Sequence, residues 1–168
     1  MDKRQNKNGS NGHQELDKSN FEATVALIGL FGGFIWGIIY FIAYYLNFTD
    51  VGPAMILNPW AFGEWKNQLL GQLIGIVAIS IISIGVALIY RFLFAKFKSI
   101  VLSLLFGASL WGLLFYLLKP MFPDLKPLTE IGWNTIITTL CIFLLYGLFI
   151  GYSISFHYEE RQTAYSKN

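Results

Sequence analysis

Charge is scarce in this 168-residue chain: Asp, Glu, Lys and Arg make up 13% of it. None of them falls within four apolar stretches, residues 23–46, 69–90, 99–118 and 133–156. Proton or ion coupling and cation recognition usually place an ionisable group inside the bundle despite its cost, so these activities are not expected. A four-span multidrug exporter would carry a carboxylate in its first helix, and this first stretch has none. Cysteine is almost absent as well. Cys141 stands alone in the fourth stretch, which excludes an intramolecular disulfide and a Cys-based zinc cluster and leaves it as a small apolar filler. His13 and His157 have no Ser or Cys partner in a recognisable motif, and no HExxH, GxSxG or phosphate-binding glycine loop occurs. The carboxylates Asp50, Glu64, Asp124 and Glu130 could form an acid–base pair only by chance meeting in loops, and they read as solvated or helix-capping. The chain is therefore expected to be no enzyme, with no catalytic, cofactor or metal site.

What remains is apolar: 55% of the residues. Crossing a hydrocarbon core takes about 20 consecutive apolar residues, so all four stretches qualify as spans. A cleaved signal peptide is not expected, because a long polar tail precedes the first span and no small-residue cleavage site follows its start. The cations orient the spans. With the N-terminus cytoplasmic, Lys3, Arg4, Lys7, Lys18, Arg91, Lys96, Lys98, Arg161 and Lys167 lie inside, and only Lys66, Lys119 and Lys126 lie outside. Both termini are thus expected in the cytoplasm. A net charge of +2 is explained by this anchoring and implies no nucleic-acid partner.

Residues 1–20 are rich in Asn, Gln, Gly and Lys with few apolar anchors, so a disordered cytoplasmic tail is expected. A membrane domain over residues 21–156 follows, its first helix starting near Glu22, whose carboxylate suits a helix N-terminus. The outer link 47–68 is long and aromatic. Asn58-Pro59 reads there as a helix start, Asn capping and Pro leading, either for a short surface helix or for one running straight into the second span. The inner link 91–98 carries three cations. Pro120, Pro123 and Pro127 in the outer link 119–132 stop the third helix near Lys119, and Thr129 suits a cap for the fourth. Residues 157–168 read as a short frayed tail.

A phrase also repeats. Leu30-Phe31-Gly32, Trp36 and Gly37 recur in register as Leu105-Phe106-Gly107, Trp111 and Gly112. The expected fold is all-α: an integral membrane four-helix bundle of two like-oriented, duplicated helical hairpins, related by a pseudo-twofold axis along the membrane normal.

Small residues recur at intervals of four. Gly29, Gly33 and Gly37 form such a row with Gly32 on its edge; Gly71 and Gly75, and Gly147 and Gly151, repeat the spacing. In the third span, Ser103 pairs with Gly107 and Ala108 with Gly112. In lipid, small residues so spaced let helix backbones approach closely. The plain reading is packing within the bundle. The sharper one is that a row, above all Gly29, Gly32, Gly33 and Gly37, docks a second copy or another membrane protein. Polar groups inside the spans are few. Gln72, Asn134, Thr138 and Tyr152 are candidates for interhelical hydrogen bonds or for a polar pathway opening outward.

By the residues from Phe21 to Tyr45, the Asn58-Pro59-Trp60 entry, the Lys119-Pro120-Met121-Phe122-Pro123 link and the four-span layout, the chain resembles over its full length the conserved membrane protein family YqhR of Bacillus and its relatives. The resemblance implies a multi-pass protein of a bacterial plasma membrane, and no particular activity or functional residue. Two function classes follow. One is a structural or regulatory subunit in the lipid bilayer that binds a membrane-protein partner or itself through glycine-lined helix faces. The alternative is a carrier or pore for a small neutral or lipid-like solute, lined by Gln72, Asn134, Thr138 and Tyr152.

Overall fold

The computed structural model describes the backbone of residues 3–59, 68–94, 99–117 and 132–166, with side chains from Ser19 to Thr163 apart from 117, 161 and 162. Among the described residues there are four helices and no strand: α1 (Lys3–Tyr45), α2 (Leu69–Phe94), α3 (Ile100–Gly112) and α4 (Trp133–Ser166). A 3-10 turn, Pro53–Leu57, follows α1, and α3 runs into a π-helical turn, Leu113–Leu117. Ser19–Tyr45, Leu69–Phe94 and Trp133–Glu160 are long and apolar enough to cross a membrane; Ile100–Tyr116 is apolar but shorter. The all-α architecture is as expected.

Backbone approach at glycine builds the first seam. A Cβ on Gly29 would lie 2.8 Å from Ala87 Cβ, one on Gly33 2.7 Å from Ser80 Cα, and one on Gly37 3.1 Å from Ile76 Cγ2. Non-bonded carbons settle at roughly 3.5–4.0 Å, so at Gly29 and Gly33 hydrogen alone fits without displacement. Ascending α1 meets descending α2, an antiparallel pair. The second seam is also antiparallel: a Cβ on Gly147 would lie 2.5 Å from Gly107 Cα, and one on Gly151 would meet Ser103 and the Tyr90 hydroxyl. α4 then joins the two pairs through α1, with Gly32 against Phe149 and Ile150.

The repeated phrase does not make repeated contacts. Gly107 faces α4 within its own pair, whereas its counterpart Gly32 faces α4 across the pairs. Gly37 packs on Ile76, yet its counterpart Gly112 has nothing within 4 Å. The close-contact rows, Gly29–Gly33 and Ser103–Gly107, are one residue out of step with the phrase. One residue is about 100° of helix, so the structure provides no support for a duplicated hairpin.

Both ends of the bundle differ from the sequence reading, for local reasons. α1 begins at Lys3, where a disordered tail is expected; a helix nucleated by a buried span extends at the cost of propagation alone. Glu22 is consequently mid-helix. Its carboxylate meets Arg91 Nη1 at 2.8 Å, while the guanidinium sits 4.9 Å over the Phe21 ring. α4 likewise continues past 156 to Ser166, and on this extension Tyr158 packs on Phe21 with ring centroids 6.2 Å apart. These groups cover a core of Val25, Ala87, Tyr90, Phe106, Ile150 and Ile154.

At the other end, Asn47 closes α1 in the left-handed region (φ 59°). Its N–H donates to Tyr44 O at 3.0 Å and the Phe48 N–H to Ala43 O at 2.9 Å, a Schellman closure that satisfies the last carbonyls. Pro53 and Ala54 are buried against α2, where Gly75 admits the Pro53 carbonyl and Gln72 Oε1 accepts the Ala54 N–H at 3.0 Å. Asn58 ends this turn with helical angles (φ −52°, ψ −41°) rather than the extended ones of an N-cap. α2 starts afresh at Leu69 after a bend at Gln68, so no single helix runs from Pro59 into it. The helix expected from Pro59, the proline link and the Thr129 cap lie outside the described residues.

Candidate functional site

α3 packs chiefly on α4 and meets α2 near its own start, where Phe106 packs on Tyr90 and Phe94 and Ser103 Oγ lies 3.1 Å from the Tyr90 hydroxyl. Beyond these contacts the two helices leave a groove of about 270 Å³, reaching from Val86 and Leu110 up to Met55 and Ile56 of the 3-10 turn. Gly33 and Gly37 of α1 form part of its floor, and Tyr40, Ile142, Phe143 and Tyr146 its deeper walls. Ile82 of α2 and Leu113 of the π-helical turn that continues α3 line it and remain 51% and 45% exposed, so it has an opening on the outer side between α2 and α3. Among the described residues, no charged side chain lines it.

Three helices meet at one hydroxyl beside the groove. Ser83 Oγ donates to the Gly29 carbonyl at 2.6 Å, which leaves it to accept from the Tyr146 hydroxyl, also at 2.6 Å. A second chain of bonds runs behind α3: Trp111 Nε1 donates to Thr139 Oγ1 at 3.0 Å, and Thr139 Oγ1 donates to the Thr135 carbonyl at 2.6 Å. Thr135 Oγ1 in turn accepts the Asp50 amide at 3.1 Å, tying the α1–α2 link to α4. The Tyr40 hydroxyl is buried beside Thr49.

Residues 3–168 are matched by the family model described as conserved membrane protein YqhR. The chain belongs to the YqhR family. It is also 48% identical, over 136 residues, to a Bacillus subtilis (strain 168) protein described as uncharacterized protein YqhR, covering 81% of this chain and 76% of that one. No solved structure matches. YqhR membership establishes a membrane protein, in keeping with the apolar helices.

Against this YqhR bundle, the sequence-predicted glycines are mostly spent within the chain. Gly29, Gly33 and Gly37 face α2, Gly32 faces α4, Gly75 faces the Pro53 carbonyl, and Gly107, Gly147 and Gly151 lie in the α3–α4 seam. Gly71 is buried in α2. Gly112 is the exception in that set, with open space around it. The α1 row, expected as the leading partner contact, is therefore covered by α2 and α4.

The four polar candidates are not brought together. Gln72 is buried and bonded to Ala54. Asn134 and Tyr152 are exposed, Tyr152 at 64%, with Cys141 on the same outward side. Thr138 is half-buried. The inward polar face of α4 is instead Thr135, Thr139 and Tyr146, which sequence reasoning missed. A signal was there: Thr135 and Thr139 lie on the same four-residue row as Gly147 and Gly151, whereas Asn134 and Thr138 lie one residue off it.

Proposed function

We propose that this YqhR-family protein is a non-enzymatic membrane protein that holds a neutral, lipid-like molecule of the bilayer in the groove between α2 and α3. The observation behind this reading is the groove itself: apolar, lined by no charged side chain among the described residues, and flanked by the exposed Ile82 and Leu113. A 150 Å³ apolar cavity admits a molecule the size of benzene, so about 270 Å³ accommodates part of a hydrocarbon chain. In water such an opening would be a liability, but in a bilayer hydrocarbon is the surrounding solvent and enters without crossing a polar layer. A charged ligand is disfavoured, since no charged side chain among the described wall residues would pair it.

With Arg91 and both chain ends cytoplasmic, as the cation distribution argues, the groove would lie in the middle and outer part of the membrane. A carrier or pore gains less support, because Asn134 and Tyr152 point away from the bundle. A subunit docking through the α1 glycine row would first have to displace α2. The test is photolabelling of the full chain in liposomes with diazirine-bearing hexadecane, followed by peptide mapping. Labels concentrated on residues 79–86 and 110–114, and lost when Leu113→Trp narrows the mouth, are the expected result. Labels spread evenly over all exposed helix faces would refute the reading.

A further inference from the structure

The groove is blind at one end. Val86 and Leu110 line that end and pack against a cluster in which Tyr90 and Phe106 join α2 to α3, their rings edge-on with centroids 4.9 Å apart. Phe94 adds a third ring, 5.9 Å from Phe106, and the Tyr90 hydroxyl lies 3.1 Å from Ser103 Oγ. Tyr90 has no exposed surface. Each closing ring stands one helical turn from a groove residue, Tyr90 four residues after Val86 and Phe106 four before Leu110. The faces of α2 and α3 that part to form the groove therefore meet to seal it.

Length and volume agree on what fits. Gly75 packs on Pro53 at the level of the 3-10 turn, eleven residues before Val86, which is about 16 Å of helix. A hydrocarbon core is about 30 Å thick, so the groove is about one leaflet deep. An extended alkyl chain advances about 1.25 Å per carbon, from a bond of about 1.5 Å at the tetrahedral angle, so about 13 carbons span it. By volume, a cavity of about 150 Å³ holds the six carbons of benzene, and about 270 Å³ holds roughly 11. One tail fills the groove and a second is excluded.

We infer that the groove takes a single hydrocarbon tail from one leaflet, the leaflet on the side of the Pro53–Leu57 turn, and that the Tyr90–Phe106 contact bars it to the other. This deepens the reading proposed above and rests on the groove being the lipid site. The two ends of the groove fit it. Met55 and Ile56 line it at the turn, beyond the end of α1 at Tyr45, so a head group there stands at the membrane surface. Gly33, Leu110 and Tyr146 lie near the middle of their apolar helices, so the tail ends near the bilayer midplane. With the N-terminus cytoplasmic, the leaflet is the outer one.

The test loads one leaflet of liposomes containing the full chain. The probe is a diacylglycerol with an uncharged disaccharide head, too polar to cross, and a diazirine in one tail; cyclodextrin delivers it from outside. After photolysis, added protease cleaves an N-terminal tag only on molecules whose N-terminus faces out. Because α1 crosses once, cleaved molecules have the Pro53–Leu57 turn facing the lumen, and protected ones have it facing the probe. Labels on the inward residues Ser83, Val86, Phe143 and Tyr146 should come from protected molecules and be lost from cleaved ones. Cleaved molecules should instead be labelled on Phe92 and Val101, 89% and 64% exposed at the opposite end. Leu110→Trp, which fills the blind end, should remove the Val86 label and keep those on Met55 and Ile56. Equal groove labelling of both populations, or labelling of the cleaved one alone, would overturn the one-leaflet inference while the groove stands. A Val86 label that survives Leu110→Trp would overturn the assigned depth. Labels on Phe92 and Val101 with none on the inward residues of either population would overturn the groove itself.

Discussion

Gly33→Ala against Gly112→Ala measures how much of this fold rests on backbone contact. The new methyl at position 33 would stand 2.5 Å from Ser83 Cβ and 2.7 Å from Ser80 Cα. Contact distance is roughly 3.5–4.0 Å, so α1 and α2 must part by about 1 Å. One turn along the same seam, Ser83 Oγ reaches the Gly29 carbonyl at 2.6 Å. Stretched by about 1 Å, that bond leaves hydrogen-bonding range. Overpacking costs about 1–3 kcal/mol and the lost bond about 0.6–2, while Ala in place of Gly returns up to about 1 in helix propensity. The net is a loss of about 1–4 kcal/mol. At Gly112 a methyl meets nothing within 4 Å, so only the propensity acts and stability stays level or rises. Unfolding of the two variants in mixed micelles by SDS titration, followed by tryptophan fluorescence, gives both differences. A Gly33→Ala protein that unfolds with the parent would refute the seam, as would a loss confined to self-association with folding intact.

Ser83→Ala should cost more than Tyr146→Phe in the same titration. The first removes the bond to Gly29 and strands the Tyr146 hydroxyl, about 1–3 kcal/mol, whereas the second leaves Ser83 bonded to Gly29 and costs about 1. The reverse order would mean that Ser83 does not join the three helices. Thr139→Val should cost about 1–2 kcal/mol by unpairing Trp111 Nε1, with a shift in tryptophan emission. Asn134→Leu and Tyr152→Phe, on the outward side, should leave stability within about 0.5 kcal/mol; a larger loss there would place α4 in a different rotation.

Run length and composition were enough to locate the helices, because a span must be apolar for about 20 residues whatever it packs against. Spacing of small residues was enough to mark where backbones come close, because only absent side chains permit it. What spacing could not say is whose backbone comes close: the Gly29–Gly33–Gly37 row suits a partner as well as it suits α2, and only the tertiary structure assigns it to α2. Rotation was equally hidden. A helix apolar all round has no polar stripe to set its phase, so Asn134 with Thr138 and Thr135 with Thr139, one residue and about 100° apart, looked alike until α3 covered the second pair. The helical continuation past 156 brings Tyr158 onto Phe21, a contact between the first and last helices that spacing alone does not show. The groove is the furthest from the sequence of all, since it arises where α2 and α3 splay apart beyond the Tyr90–Phe106 contact, and no residue encodes a contact that is not made.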